Sequence, residues 1–407
     1  MNYEKILYLI KKIKSSSKYN VNFNNKPDHD TVPICTMPGK ELVLQDKEKA
    51  KNYNKIINKI WENCTELWDT VSLETIENEI IKVIIQSFEN KTEIEIEDLK
   101  KIFKYLLSLK NENWTAFRQI YGIKMNSVKP LQFGDFTIYN LDNHKRILDQ
   151  QYPNANLESN NSNKYFIKVM VKARDGEKAK ILANRKFVQF ENIIRFMIKD
   201  ISHYYNVAIF NYMHPSYEYA RMLCDDGCTI SDMRLNTTRS RKVDLEESYL
   251  INNEFGNKKI WEIAKKNNNS EIEKRLLVAI EWIGKGLNDL DEGKAFIQFI
   301  FAIEALLQLN KGGIVSPSIA SQISEYASFI IGSKLEERID IEKTFKDLYS
   351  KRSDIAHGRS QSVSEEDLKT AFLMARDLIV KILTLPDFQN IKSIQDIQEW
   401  VKNKKYS

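Results

Sequence analysis

The chain reads as mostly α-helical, with a small α+β segment in its middle and a helical bundle at its C-terminal end. Three observations carry this. Apolar residues recur at three- and four-residue spacing over most of the first 125 positions and again after about residue 270. Between them, Ile167-Lys-Val-Met-Val-Lys-Ala-Arg174 alternates with the period of a strand. A cluster of small polar residues, Asn267-Asn-Asn-Ser270, separates that middle segment from the last helical region. The expected domains are 1–128, a helical region; 129–262, a mixed α/β domain; and 263–407, a helical domain.

Element by element, Ile6, Leu9, Ile10 and Ile13 form the first helical stripe, and Ile56, Ile60, Cys64, Leu67 and Trp68 the second. Pro27, Pro33, Pro38 and Gly39 between them are expected to break any regular element. Ile80, Ile81, Ile84 and Ile85 mark a third helix. A fourth, from about Ile96 to Leu109, is expected to place Leu99, Ile102, Phe103, Leu106 and Leu107 on one face. Phe133-Gly-Asp-Phe-Thr-Ile-Tyr139 reads as a turn and a short strand. Asp175-Gly176 turns the alternating strand into a helix running to about Ile198, and the stretch near Cys228 to Leu250 reads as extended and polar. Ser364-Glu-Glu-Asp367 before an apolar run has the form of a capping box, which starts the final helix through about Leu383.

Composition narrows the function classes. At 407 residues, with 42% hydrophobic and 29% charged residues, the chain can bury more than one core and is not a disordered polymer. Its 61 basic residues against 56 acidic ones leave a net charge of +5, too small for a global polyanion-binding surface. Any nucleic-acid site must therefore be a local patch. Four cysteines and no signal peptide fit a reducing cytoplasm. The longest apolar stretch, residues 295 to 309, is shorter than a membrane span of about 20 residues and carries Gln298 and Glu304, so no membrane is expected.

The stretch Tyr349-Ser-Lys-Arg352-Ser353-Asp354-Ile355-Ala356-His357-Gly358 carries the chemistry. Arg352 is a permanent cation whose planar fork suits phosphate oxygens, and His357 exchanges a proton near neutral pH. One group to move protons and one to neutralise charge on phosphorus suffice to cleave RNA without a metal. Phe345, Leu348, Arg352 and Ile355 follow the spacing of a buried stripe, so Arg352 stands where the pattern asks for an apolar residue and needs a partner. Glu304 is that partner in expectation: it is the single acid in Ala295–Leu309 and is in register with Ile297, Ile300 and Leu307. His357 lies five positions beyond Arg352, roughly 140° round the helix, so the two are not stacked. They converge only if the helix ends here, with Gly358 as its C′ residue, or if a second copy of the chain completes the site.

An apolar helix with a lone Glu, preceded by Leu276-Leu-Val-Ala-Ile-Glu-Trp282 and followed by Tyr-x-x-Arg-Ser-x-Ile-x-His-Gly, resembles the HEPN superfamily and within it the Apea-like branch. The resemblance spans roughly residues 270 to 385. It implies an all-α nuclease domain that dimerises, needs no cofactor or metal, and cuts RNA by attack of a 2′-OH to leave 2′,3′-cyclic phosphate and 5′-OH ends. In that scheme His357 is general acid/base, Arg352 steadies the transition state, Ser353 contacts the phosphate or the imidazole, and Asp354 at most tunes His357. Such domains recur in toxins and anti-phage effectors of the abortive-infection kind, held off by an antitoxin or released by a phage-derived trigger. The alternative expectation is a non-catalytic dimerisation or ligand-binding module of a defence or regulatory complex.

Weaker signals lie in the middle segment. Lys168, Lys172 and Arg174 on one strand face, with Arg234, Arg239, Arg241 and Lys242, are candidates for RNA docking, although basic strand faces are more often only solvated. Tyr204, Tyr205, Tyr212, Tyr217 and Tyr219 add aromatic density near His203 and His214. Cys224 and Cys228 with those histidines have loose spacing for zinc, and no metal site is expected. Met37-Pro-Gly39-Lys40-Glu41 lacks the first glycine and the Ser/Thr of a phosphate-binding loop.

Overall fold

A computed structural model describes residues 1–21, 32–37, 40–158, 163–213, 217–223, 229–235, 241–309, 319–359 and 362–406, with backbone alone at 21, 35–37, 40, 217–223 and 229–235. The chain forms two compact units, one of residues 1–116 with 170–184 and one of 117–169 with 185–407. Residues 117–128 fall in the second unit and residues 170–184 in the first. The middle segment is shared between the units because its long strand and the helix after it serve both.

In the first unit, α1 (Tyr3–Ser15), α2 (Lys47–Glu62), α3 (Leu73–Glu89) and α4 (Ile96–Ser108) pack around the isoleucine stripes. Ile6, Ile10, Ile13, Ile60, Ile84, Leu99 and Phe103 form the buried core. Leu107 and Trp68 differ from expectation and stand exposed, Trp68 with its indole N–H bonded to the Trp61 carbonyl (2.7 Å). The proline-rich linker also departs from the sequence reading. β1 (Ser17–Val21), β2 (Val32–Met37) and β3 (Lys40–Leu44) make a sheet in the order β1-β3-β2, with Pro33 inside a strand. Pro33 is tolerated because β2 is at the edge and its register shifts between Pro33 and Cys35, so the missing N–H costs no ladder bond. Pro27, Pro38 and Gly39 lie outside the described residues.

Two strands and one helix are divided between the units: β4 (Glu112–Gln119), β8 (Tyr165–Ala173) and α6 (Gly176–Ile198). The expected turn at Asp175 is present. Its carboxylate accepts from Lys178 N (2.7 Å), starting α6, and from Ser72 N (2.8 Å).

In the second unit, β5 (Ile123–Lys124), β6 (Leu131–Phe133), β7 (Phe136–Asn140) and α5 (Leu141–Gln151) come first. The hairpin closes through Gly134 at φ +56°, and the larger sheet runs β4-β8-β7-β6. Next come β9 (Tyr217–Leu223), β10 (Thr229–Leu235), paired antiparallel, and β11 (Val243–Asp244), which lies parallel to β5. Trp261 on α7 (Asn257–Lys265) packs against Phe133, Phe136 and Phe190, so the residue expected to end the middle domain is part of this core.

The last third is helical: α8 (Glu271–Gly286), α9 (Glu292–Leu307), α10 (Ile319–Ile331), α11 (Leu335–Ala356), α12 (Glu365–Thr384) and α13 (Ile394–Tyr406). α13 is a helix the sequence reading missed. α8 packs along α9, α10 along α11, and α12 against α8, α9 and α10. Gly284 allows α8 to approach Asn192 of α6 so closely that a Cβ would sit 2.5 Å from its Cα. The expected capping box of Ser364 with Asp367 is formed at α12, and a second, of Ser270 with Glu273, starts α8. Among the described residues the architecture is mostly α, and no helix is long and apolar enough to cross a membrane.

Candidate active site

Phe345 and Leu348 are fully buried and fix α11 against its neighbours. One turn further, Arg352 and Ile355 sit half-buried at the rim of that face, so the stripe ends at an opening and not in the core. On α9, Ile300 and Leu307 are buried while Ile297, Phe301 and Glu304 are half-buried along one edge. The two edges meet. The Arg352 Nη2 lies 3.5 Å from Glu304 Oε1, with the side chains 24% and 14% exposed.

Two aromatic residues complete this cluster. The Arg352 guanidinium lies 5.2 Å from the Phe301 ring centre and 5.7 Å from that of Tyr349, and Tyr349 also hydrogen-bonds Glu304. Burial pushes the Glu304 carboxyl above its ordinary range, and the Arg352 charge and the Tyr349 hydroxyl only partly reverse this. Burial also raises the Tyr349 phenol, and the Glu304 charge adds to the effect. At 3.5 Å the ion contact is longer than a closed charge-assisted hydrogen bond of about 2.7–2.9 Å. The guanidinium is therefore held by its surroundings, with its fork not closed on the carboxylate. Its Nε is buried with no hydrogen-bond partner among the described residues. Sequence reasoning missed Phe301 and Tyr349 as members of the site. The signal was present: each stands three positions before its charged neighbour, hence on the same helix face.

The helix ends as the sequence suggested. Gly358 has φ +69°, its N–H donates to the Ile355 carbonyl (3.0 Å), and Arg359 N–H donates to the Asp354 carbonyl (2.8 Å). This is the paired-bond glycine terminus of a Schellman motif, with His357 as C-cap. The His357 side chain is exposed, and among the described residues it forms no hydrogen bond or ion pair with Arg352 or any other group. Its backbone N–H donates to the Ser353 carbonyl (3.0 Å), while the Ser353 side chain is half-buried. Asp354 faces solvent and pairs loosely with Arg359 (3.8 Å). Lys351 ties α11 to the Asp367 carboxylate of the α12 cap. The structure thus gathers Glu304, Arg352, Tyr349 and Phe301, and leaves His357 at the solvent end of the same helix.

The RNA-docking candidates separate. Lys168 and its strand neighbours Lys172 and Arg174 belong to different compact units. Arg174 is engaged within the first unit: its guanidinium bonds the Leu107 carbonyl (2.6 Å), the Leu109 carbonyl and Thr70 Oγ1 (3.3 Å), satisfying the last carbonyls of α4. Lys168 is half-buried against Tyr139 and Tyr152, with its ammonium bonded to the Tyr152 hydroxyl (3.2 Å). Lys172 and Lys242 are exposed. Arg241 is exposed and its guanidinium covers the Tyr204 ring at 4.6 Å. Arg239, His214, Cys224 and Cys228 lie outside the described residues, as does the Arg234 side chain. Among the described residues no group of side chains has the make-up of a metal site.

Comparison with family models, with curated proteins and with solved structures found no match.

Proposed function

We propose that this chain is a metal-independent endoribonuclease of the HEPN type, in its Apea-like branch, with the C-terminal helices α8 to α12 as the nuclease domain. One observation carries the reading: Glu304 of α9 meets Arg352 of α11, and His357 stands exposed at the end of the same helix. Arg352, half-buried with an open fork, suits the charge that develops on a phosphorane-like transition state. His357 has the exposure needed to exchange protons with a ribose 2′-OH and the departing 5′-oxygen. The products are a 2′,3′-cyclic phosphate and a 5′-OH. No other group is needed for this proton and charge balance. Because Arg352 turns inward and His357 outward, roughly 140° apart, the complete site forms between two copies, making the active species a homodimer through this domain.

In this reading the first 262 residues restrain the nuclease or select RNA in the cytoplasm, under an antitoxin or a phage-derived trigger, and cleavage arrests the cell. The imidazole without a hydrogen bond or ion pair favours the other reading, a non-catalytic dimerisation or ligand-binding module. Sequencing RNA ends after induction of wild type and His357→Ala separates the two. Cleavage and growth arrest vanish in the variant while dimerisation survives, and wild-type cleavage persists in excess chelator. Equal RNA ends from both proteins would remove the nuclease assignment.

A further inference from the structure

A second guanidinium in the same compact unit is less well satisfied than Arg352. Arg376, on α12, has a side chain only 11% exposed. Its Nε is buried with no hydrogen-bond partner among the described residues. Its sole ion contact is 3.5 Å to the carboxylate of the adjacent Asp377, which is itself nearly half exposed. The guanidinium rests on the Phe255 ring at 5.2 Å. The same ring carries a second cation, the Lys199 ammonium, 4.0 Å from its centre. Lys199 caps α6 at φ +61°, a left-handed conformation that a residue with a Cβ adopts at a cost.

Two like charges around one phenyl ring repel each other. Cation–ring attraction is weak compared with the cost of a charged N–H donor withdrawn from water and left unpaired. Buried charges are ordinarily paired and hydrogen-bonded, and a guanidinium whose buried Nε–H has no acceptor calls for an explanation. We propose that Arg376, Lys199 and Phe255 form a binding site for a small oxyanion of the phosphate class, free or on a small metabolite, distinct from the Glu304–Arg352 cluster. The planar fork of Arg376 would take two oxygens and the Lys199 ammonium a third, with Phe255 as the apolar wall. Titration behaviour agrees: burial depresses Arg376, with Asp377 opposing, and burial and then the Arg376 charge depress Lys199, against Glu254 and Asp377. The near-complete burial of Arg376 favours a small ligand over a polymer backbone.

The test uses the full chain, with inorganic phosphate as probe against chloride at equal ionic strength, read by thermal melting and titration calorimetry. Phosphate is expected to raise the melting temperature of wild type, and a rise remains in Arg352→Met because this site is separate from the Glu304–Arg352 cluster. Arg376→Met and Lys199→Met are each expected to weaken phosphate binding roughly 10- to 100-fold, the equivalent of one or two charge-assisted hydrogen bonds. Arg376→Met is also expected to melt higher than wild type in chloride alone. A phosphate response no larger than that of chloride overturns the site, as does a response lost in Arg352→Met but kept in Arg376→Met. Should Arg376→Met fail to fold, unchanged phosphate affinity in Lys199→Met overturns it equally. A titration in which only a 2′-deoxy oligonucleotide responds to these substitutions assigns the cations to nucleic acid and removes the small-ligand proposal.

Discussion

Arg352 and Arg376 invite comparison, because both interrupt an apolar stripe of a long C-terminal helix and both leave a buried Nε without a partner. Phe372, Arg376, Ile379 and Leu383 repeat the spacing of Phe345, Leu348, Arg352 and Ile355 with a different phase. Arg352 meets an acid on a facing helix and a tyrosine that holds that acid. Arg376 meets a second cation on a shared ring. A charge on a core-facing stripe is therefore a reliable sign that something must compensate it. What compensates it is decided by the neighbouring helix and differs between the two.

The largest effect expected is on chemistry. His357→Ala should lower RNA cleavage by at least about 10²-fold, as loss of a general acid/base does. With the His357 side chain exposed and outside any hydrogen bond or ion pair, the change should leave stability within about 0.5 kcal/mol of wild type. A matching fall in stability would make His357 structural.

Next is the compensated arginine. Glu304→Ala strands the Arg352 charge and should cost about 1–3 kcal/mol in denaturant unfolding, less than for a fully buried pair because Arg352 is partly solvated. Arg376→Met should move the other way, by up to about 1 kcal/mol, since it removes a cation whose buried Nε–H has no acceptor. If both variants destabilise equally, the distinction between the two arginines fails.

Gly358→Ala sharpens the geometry of the helix end. A Cβ there meets nothing within 4 Å, so the cost is backbone strain alone, about 1 kcal/mol. A much larger loss would mean that the cap carrying His357 is packed against something.

The smallest effect is on pH dependence. Burial raises the folded Glu304 carboxyl above its unfolded value of 4.5, so the folded state binds the proton more tightly. Its contribution is fully present below pH 4.5 and is lost as pH rises through the folded value. Asp367, in the same helical region, has the opposite sign. Burial opposes ionisation there, but Lys351 and Ser364 hold it below 3.8, so its contribution is lost as pH falls. Glu304→Gln should remove the first slope from a stability–pH curve and leave the second.

The amino-acid pattern alone determined much of this protein. The isoleucine stripes of α1 to α4, the turn at Asp175, the Ser364 capping box and the glycine terminus after His357 are local. They depend on residues within a few positions of one another, and local stereochemistry is enough to specify them. Even the Glu304–Arg352 pair was legible, because one acid in an apolar helix and one cation in an apolar stripe leave each other as the available partner.

Tertiary structure decided the rest. A proline became a strand residue because an edge could accept it. Arg174 of a basic strand face turned to cap α4, because unpaired carbonyls were within reach. The two compact units divide within β4, β8 and α6, since a strand belongs with whatever packs on it and not with its neighbours in sequence. The placing of Lys199, Phe255 and Arg376 together joins three segments more than 50 residues apart. No short-range rule encodes such an encounter, because it depends on how the helices stack once their apolar faces are buried.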